Sequence, residues 1–483
     1  MNLQRRTNLL LLLGTLALAH FIDIAQARVC VSPEQVHVAL AGDSDKGELR
    51  FNVKWTVLYS SDQASAISEY VPVLRYGKNP DQLDTVTTGA ACKTMSYWPL
   101  SYHYDCTSDP IDFETFYYYS VGDMNCADAV SKPALLVKQP KPGSTVSVAI
   151  LGDLGIDNAN ATIWNLADQA RLGDFSLAIH LGDIAYADDL ERSRFTEYED
   201  ATNYFFRSIE PITKTVPYLV TPGNHDVTCR YTGDAGCPDA LRNFTAYNAR
   251  WRMPGFDAPQ KSRPHANGNM WYSFTYGNIR FISINTESDY PNAPYSPNGK
   301  DTKAGGFTGD QIAWLEKELA KAAKERSFDR PWIVVYGHRP LYSSTTLDYP
   351  ADQQNRTCEV LEPLFLKYGV DLYLSGHLHD YEYTYPMARG QVYKWDFHNS
   401  RAPVYIINGA AGNAEGHPTT ITPDIPFFEH YRNANDYGYG VIKTFVNPAV
   451  NKGAYQVLCH YFLRVTPDSR DFDDIICITK DTL

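Results

Sequence analysis

At 483 residues the chain is too long for one ordinary core, which predicts two or three domains. Its 44% apolar and 20% charged residues are the proportions of a folded globular protein and exclude wholesale disorder. The net charge of −13 is spread along the chain and leaves no basic footprint for nucleic acid or anionic lipid, so an anionic substrate would need a local source of attraction.

Residues 1–27 read as a secretory signal peptide. Arg5 and Arg6 supply the charge, "LLLLLGTLALA" (9–19) the apolar core and "AQA" (25–27) the small-residue cleavage site. The apolar run is too short for a convincing membrane span, and no later stretch approaches twenty apolar residues. The expectation is a secreted or lysosomal/vacuolar protein without stable membrane insertion. Sequons at Asn160, Asn243 and Asn355 would carry glycans on that route. All nine cysteines follow the signal; Cys229 with Cys237 and Cys459 with Cys477 are candidate disulfide pairs, and the odd one is free or joins two chains. Monomer and homodimer both stay open.

Residues 28–140 hold short alternating stretches, among them "VHVAL", "LRFNVKWTVLY" and "ETFYYYSVGD", which predict an all-β sandwich. "KQPKPGS" (138–144) is the hinge. In 144–430 the pattern changes to nearly continuous apolar runs: "TVSVAILGD", "FSLAIHLGD", "VPYLVTPGNHD", "IRFISINTE", "WIVVYGHRP" and "VDLYLSGHLHD". Such runs suit strands buried on both faces. A helix over 308–325 opens with Thr308 and Gln311 in capping-box spacing and repeats Ile312, Leu315 and Leu319 at helical period. Strand–helix alternation predicts an α/β layered domain; strand-like alternation returns over 437–467, and 431–483 form the C-terminal part of that domain.

Five of the apolar runs end in metal-ligand residues: Asp153, Asp183 with Tyr186, Asn224 with His225, His338, and His377 with His379. Loops at the carboxyl ends of strands are where α/β sheets build sites, and the adjacent glycines permit sharp turns. A lone Gly-Asp is usually a turn and a lone histidine usually structural; their recurrence at strand end after strand end points to one site. The donor count fits two metals, with Asp153, Tyr186 and His379 on one, Asn224, His338 and His377 on the other, and Asp183 bridging. Oxygen and imidazole donors without thiolate suit iron, zinc or manganese.

The pattern D…GDxxY…GNH[DE]…VxxH…GHxH, met at Asp153, Asp183/Tyr186, Asn224, Val335/His338 and His377/His379, resembles the ligand signature of the purple acid phosphatases among the metallophosphoesterases. "SPEQVHVAL" (32–40) resembles the start of that family's fibronectin-type-III-like domain, and "YGYGVI" (437–442) its C-terminal motif. The resemblance implies an αββα layered metallophosphoesterase sandwich after an all-β fibronectin-III-like domain. It also implies an Fe(III) plus a divalent Fe, Zn or Mn, with Tyr186 as the phenolate on iron. The reaction implied is acid hydrolysis of phosphate monoesters, small molecules or phosphoproteins, by in-line attack of a metal-bound hydroxide. His225 matches the histidine that bonds phosphate or protonates the leaving group, with Asn224 and Arg339 as further substrate contacts. Plant members carry extra histidines about ten residues beyond the His338 position; "RPLYSSTTLDYPADQQ" (339–354) has none, leaving Arg339, Tyr342, Asp348 or Tyr349 to meet substrate there. The alternatives are a secreted phosphodiesterase or nucleotidase of the same superfamily and a non-catalytic secreted binding protein.

Overall fold

The computed structural model describes residues 28–42, 47–229, 237–254, 256, 268–288, 310–344, 351–418, 429–447, 455–466 and 469–481, with only the backbone at 239 and 351–356. The leader at 1–27, Thr308, Asp348, Tyr349 and the side chain of Asn355 lie outside the described residues.

Among the described residues, the alternating stretches form β1 (Glu34–Ala41), β2 (Arg50–Leu58), β3 (Pro72–Gly77), β4 (Thr85–Thr87), β5 (Cys92–Trp98), β6 (Ser101–Thr107), β7 (Tyr117–Asp123) and β8 (Ala134–Leu136). They make two antiparallel sheets, β1-β2-β6-β5 and β4-β3-β7-β8, around Phe51, Val53, Trp55, Tyr104 and Tyr119.

The apolar runs that follow become β9 (Ser147–Leu151), β10 (Leu177–His180), β11 (Tyr218–Val220), β12 (Tyr272–Tyr276), β13 (Ile279–Ser283), β14 (Trp332–Tyr336) and β15 (Leu372–Ser375). Later come β16 (Tyr381–Thr384), the hairpin β17 (Met387–Ala388) and β18 (Gln391–Val392), β19 (Val404–Asn408), β20 (Glu429–Asn433), β21 (Gly438–Asn447), β22 (Tyr455–Val465) and β23 (Arg470–Asp481). They assemble two sheets, β11-β10-β9-β21-β22-β23 and β12-β13-β14-β15-β19-β16-β20. The strands β9 to β11, and likewise β13, β14, β15 and β19, run parallel and are almost wholly buried, as apolar runs without alternation require. The sheets are joined through the core: Asn408 Nδ2 donates to the Ile150 carbonyl at 3.1 Å, and the Tyr381 and Phe462 rings stack at 4.2 Å.

Helices α1 (Asn160–Leu172), α2 (Tyr198–Thr213), α3 (Thr245–Arg250), α4 (Asp310–Glu325) and α5 (Ala351–Tyr368) fill the connections. In α4, Leu315 and Leu319 face the core as their spacing predicts. Gln311 pins the loop after β13: its amide donates to the carbonyls of Asn285 and Ser288 and accepts from the Asn285 N–H at 2.6 Å, while the cap expected with Thr308 falls outside the described residues. The N-terminal sheets dock on α2, where the Thr213 hydroxyl donates to the Val36 carbonyl and Gln35 N–H to Glu210 Oε2, each at 2.9 Å.

Disulfides join Cys30–Cys126, Cys92–Cys106, Cys229–Cys237 and Cys459–Cys477. Cys358 is the free cysteine, its thiol donating to the Leu341 carbonyl at 2.9 Å, with burial pushing its pKa up. The sequon asparagines Asn160 and Asn243 are both exposed. Among the described residues no helix is long and apolar enough to cross a membrane.

Candidate active site

The parallel strands bring their carboxyl ends together, and the loops leaving β9, β10, β11, β14 and β15 carry the ligand-type residues of the sequence pattern. Four of these residues adopt left-handed backbone: Asp153 (φ 58°), Asp183 (φ 52°), Tyr186 (φ 51°) and His377 (φ 72°). That conformation is uncommon outside glycine and collects at functional sites. Tight turns also explain the neighbouring glycines: a Cβ on Gly223 would strike the Asp183 carboxylate, and one on Gly376 that of Asp153.

The side chains fall into two touching groups. In one, His338 Nε2 lies 3.1 Å from Asp183 Oδ2, 3.1 Å from Asn224 Oδ1 and 3.2 Å from His377 Nδ1. In the other, the Tyr186 hydroxyl lies 3.0 Å from both Asp153 Oδ1 and His379 Nε2, and 3.5 Å from Asp183 Oδ2. Asp183 Oδ2 is common to both. The seven residues are therefore brought together around Asp183.

The protein fixes its imidazoles for cation binding. His338 Nδ1 faces the Leu181 carbonyl at 2.8 Å and His379 Nδ1 the Gly416 carbonyl at 2.9 Å. A carbonyl can only accept, so each Nδ1 carries a proton and each Nε2 points into the site. The Asp183 carboxylate is held from behind by the His225 N–H at 2.7 Å.

Electrostatics favour a cation here. Burial, then Asp183, push the Asp153 carboxyl well above its usual range, although His338 opposes the shift. Burial, then Asp153 and Asp183, push the Tyr186 phenol well above its own. Against the upward push of burial, His338, His225 and His377 hold Asp183 below the ordinary carboxylate range. His377 is kept well below the usual imidazole range by burial and by the Arg339 guanidinium. His338 goes the other way: against burial, the Asp183 carboxylate raises it to about 9, so without a cation a proton on this ring balances Asp183. Buried acids, a phenol and imidazoles converging on shared points are a donor set that fits metal ions.

Around this set stand residues the sequence pattern did not single out. Asp188, two residues past Tyr186, bonds His225 Nδ1 at 2.9 Å, and the His225 ring packs on Tyr186 with centroids 4.3 Å apart. Asp188 and Asp183 raise His225 well above its usual range even though burial opposes them. Glu415, in the glycine-rich loop after β19, lies 3.9 Å from both His225 Nε2 and His379 Nε2 and accepts from Arg192 at 3.0 Å. Glu287, on the loop pinned by Gln311, grips Arg339 through Nε (2.8 Å) and Nη2 (2.9 Å). Arg339 also points Nη1 at His377 Nε2 (3.0 Å) and Nη2 at Asn224 Oδ1 (3.4 Å). Tyr342 is buried, its hydroxyl bonded to Glu362 at 2.6 Å.

Residues 146–381 match the family described as calcineurin-like phosphoesterase, and residues 402–448 that described as iron/zinc purple acid phosphatase-like protein C. The chain is 29% identical over 468 residues to an acid phosphatase of Aspergillus ficuum, covering 72% of this chain and 74% of the relative. It is 34% identical over 306 residues to acid phosphatase type 7 of Homo sapiens, covering 60% of each. The purple acid phosphatase PPD1 from seeds of yellow lupin, Lupinus luteus, superposes with a TM-score of 0.69 at 20% identity, over 93% of this chain and 75% of that one.

Proposed function

Because the chain belongs to the purple acid phosphatases, within the calcineurin-like phosphoesterases, we propose that the strand-end cluster is the dinuclear centre at which it works. The chain is a metal-dependent acid phosphatase, a hydrolase of phosphoric monoesters. Asp153, Tyr186 and His379 would hold Fe(III), Asn224, His338 and His377 a divalent Fe, Zn or Mn, and Asp183 both. The observation that carries this assignment is the sharing of Asp183 Oδ2 between the two side-chain groups.

When bound, the ions supply Lewis acidity, acidifying water for in-line attack and neutralising charge on the phosphoryl oxygens. The chain's own residues do the rest. Asp188 holds His225 Nδ1, so Nε2 faces the cluster and is positioned to bond the phosphate and hand a proton to the departing oxygen. Asn224 and Arg339 line the same side. Arg339, gripped by Glu287 and in contact with both Asn224 and His377, positions that half of the centre as well as facing substrate.

The N-terminal sheets, residues 28–140, would be the fibronectin-III-like domain, and 144–430 with 431–483 the catalytic domain. Their disulfides and exposed sequons favour a secreted or lysosomal/vacuolar route, with glycans at Asn160, Asn243 and Asn355. The test is Asp183→Ala. Metal content should fall and monoester hydrolysis should drop by at least about 100-fold; full activity in that variant would sink the two-ion assignment. Running a phosphodiester beside the monoester checks the substrate class.

A further inference from the structure

Trp164 is 66% exposed, the largest value among the large apolar side chains of the described residues. An exposed indole presents a flat apolar face with a polar edge, a surface on which a ligand with an apolar face packs well. Trp164 lies on α1, whose Ile163, Leu166 and Ala170 face the core, so its ring projects from the opposite side. One turn earlier, at i−4 on that same outer face, stands the exposed Asn160 of the sequon Asn160-Ala161-Thr162. Helical side chains lean toward the helix N-terminus, so the Trp164 indole covers the turn that begins at Asn160.

We propose that Asn160 carries an N-linked glycan whose first sugar packs on the indole of Trp164. The modification joins the Asn160 amide nitrogen to C1 of the sugar. The C1–oxygen bond to a lipid-linked diphosphate donor breaks, the lipid diphosphate leaves, and the amide proton goes to base. The apolar C–H face of the ring then lies against the indole and removes it from water. The site stands at the rim of the strand-end loops: Asn158 N–H donates to the Gly412 carbonyl at 3.1 Å and its amide to the Asn413 carbonyl at 2.8 Å. Asn243 provides the contrast. It too is exposed, but the aromatic beside it, Phe244, is buried at 1% and offers no platform.

The proposal rests on the secretory reading of the chain, and the experiment separates the two. The full chain is secreted from a eukaryotic host and glycopeptides are mapped by mass spectrometry; hydroxyl-radical footprinting then reads oxidation of Trp164 alone. Occupied Asn160, with Trp164 oxidised several-fold less than in Asn160→Gln, is the expected result. Protection should survive endoglycosidase trimming to one sugar, and Asn243→Gln should leave it unchanged. Should Asn160→Gln misfold, Trp164→Ser serves instead: trimming the Asn160 glycan completely should lower Tm in the parent chain but not in that variant. Occupancy at Asn243 with Asn160 empty overturns the proposal alone, as does an occupied Asn160 with Trp164 fully reactive. A secreted chain with Asn160 and Asn243 both empty overturns the proposal alone, whereas a full chain that is not exported by its own leader overturns the secretory reading.

Discussion

A buried tyrosine hydroxyl is usually satisfied by one or two neutral partners, whereas Tyr186 meets two carboxylates and an imidazole nitrogen. With Fe(III) on that side, a phenolate would absorb visible light. Tyr186→Phe should therefore bleach the purified protein while leaving much of its iron in place, measured by absorption spectrum and metal analysis on the same sample. An iron-loaded wild type without any visible band would return Tyr186 to the status of a core aromatic. Arg339 poses a second question at this scale, since it touches Asn224 and His377 and also lies toward substrate. Arg339→Lys keeps the charge and loses the fork. If the fork orients ligands, affinity for the divalent ion should weaken by about 10–100-fold with the visible band intact; a raised KM at unchanged metal content would make it a substrate contact only. The seven ligand-type residues were legible in the sequence because each sits at the end of an apolar run beside a glycine or polar partner. Asp188, Glu287 and Glu415 were not, because they act through another side chain, and a lone acid, even Glu287 at the end of an apolar run, does not show which side chain it will meet.

At the scale of elements, burial decides what could be read in advance. Strands β9 to β11 and β13 to β15 are covered on both faces and spell continuous apolar runs, so they announced themselves. β23, "RDFDDIICITKD", is an edge strand with Phe472 and Ile475 exposed and charges along half its length, and its one apolar run, Ile475–Ile478, is too short to tell strand from helix. Its place depends on pairing with β22, where Cys459 stands opposite Cys477 and is bonded to it. The two cysteines are 18 residues apart, and a cross-link of that span stabilises by about 3 kcal/mol through the unfolded chain. Replacing both by serine should lower the free energy of urea unfolding by that order. The visible band and activity in folded samples should stay as they were, because β21 and β22 stand between β23 and β9 with its Asp153 loop. Loss of the metal centre in the folded variant would mean that the edge strand reaches the site.

For the whole molecule the decisive joint is where its two large sheets meet, and a histidine occupies it. His460 of β22 is fully buried; Asn408, at the end of β19, donates its amide to His460 Nε2 at 3.2 Å while also bonding the β9 carbonyl of Ile150. Tyr381 of β16 stacks on the imidazole at 5.5 Å, so three strands from both sheets close on one ring. An amide N–H needs a lone pair, so this Nε2 is unprotonated, and burial carries the pKa from 6.5 down to about 3. The unfolded chain takes up the proton near 6.5 and the folded chain only near 3. Stability from this ring is therefore whole at neutral pH and is lost as pH falls from about 6.5 toward 3. Between pH 7 and pH 5 the loss comes to about 2 kcal/mol for one such group. An acid phosphatase held together at a neutral buried histidine should thus approach its stability limit in the acidic range where it acts. His460→Gln can keep an acceptor for Asn408 and cannot titrate, so its urea midpoint should fall less than that of the wild type over the same pH interval, whatever its absolute stability. Equal falls in the two proteins would show that His460 is already protonated in the fold, and the joint between the sheets would then have to hold a buried charge.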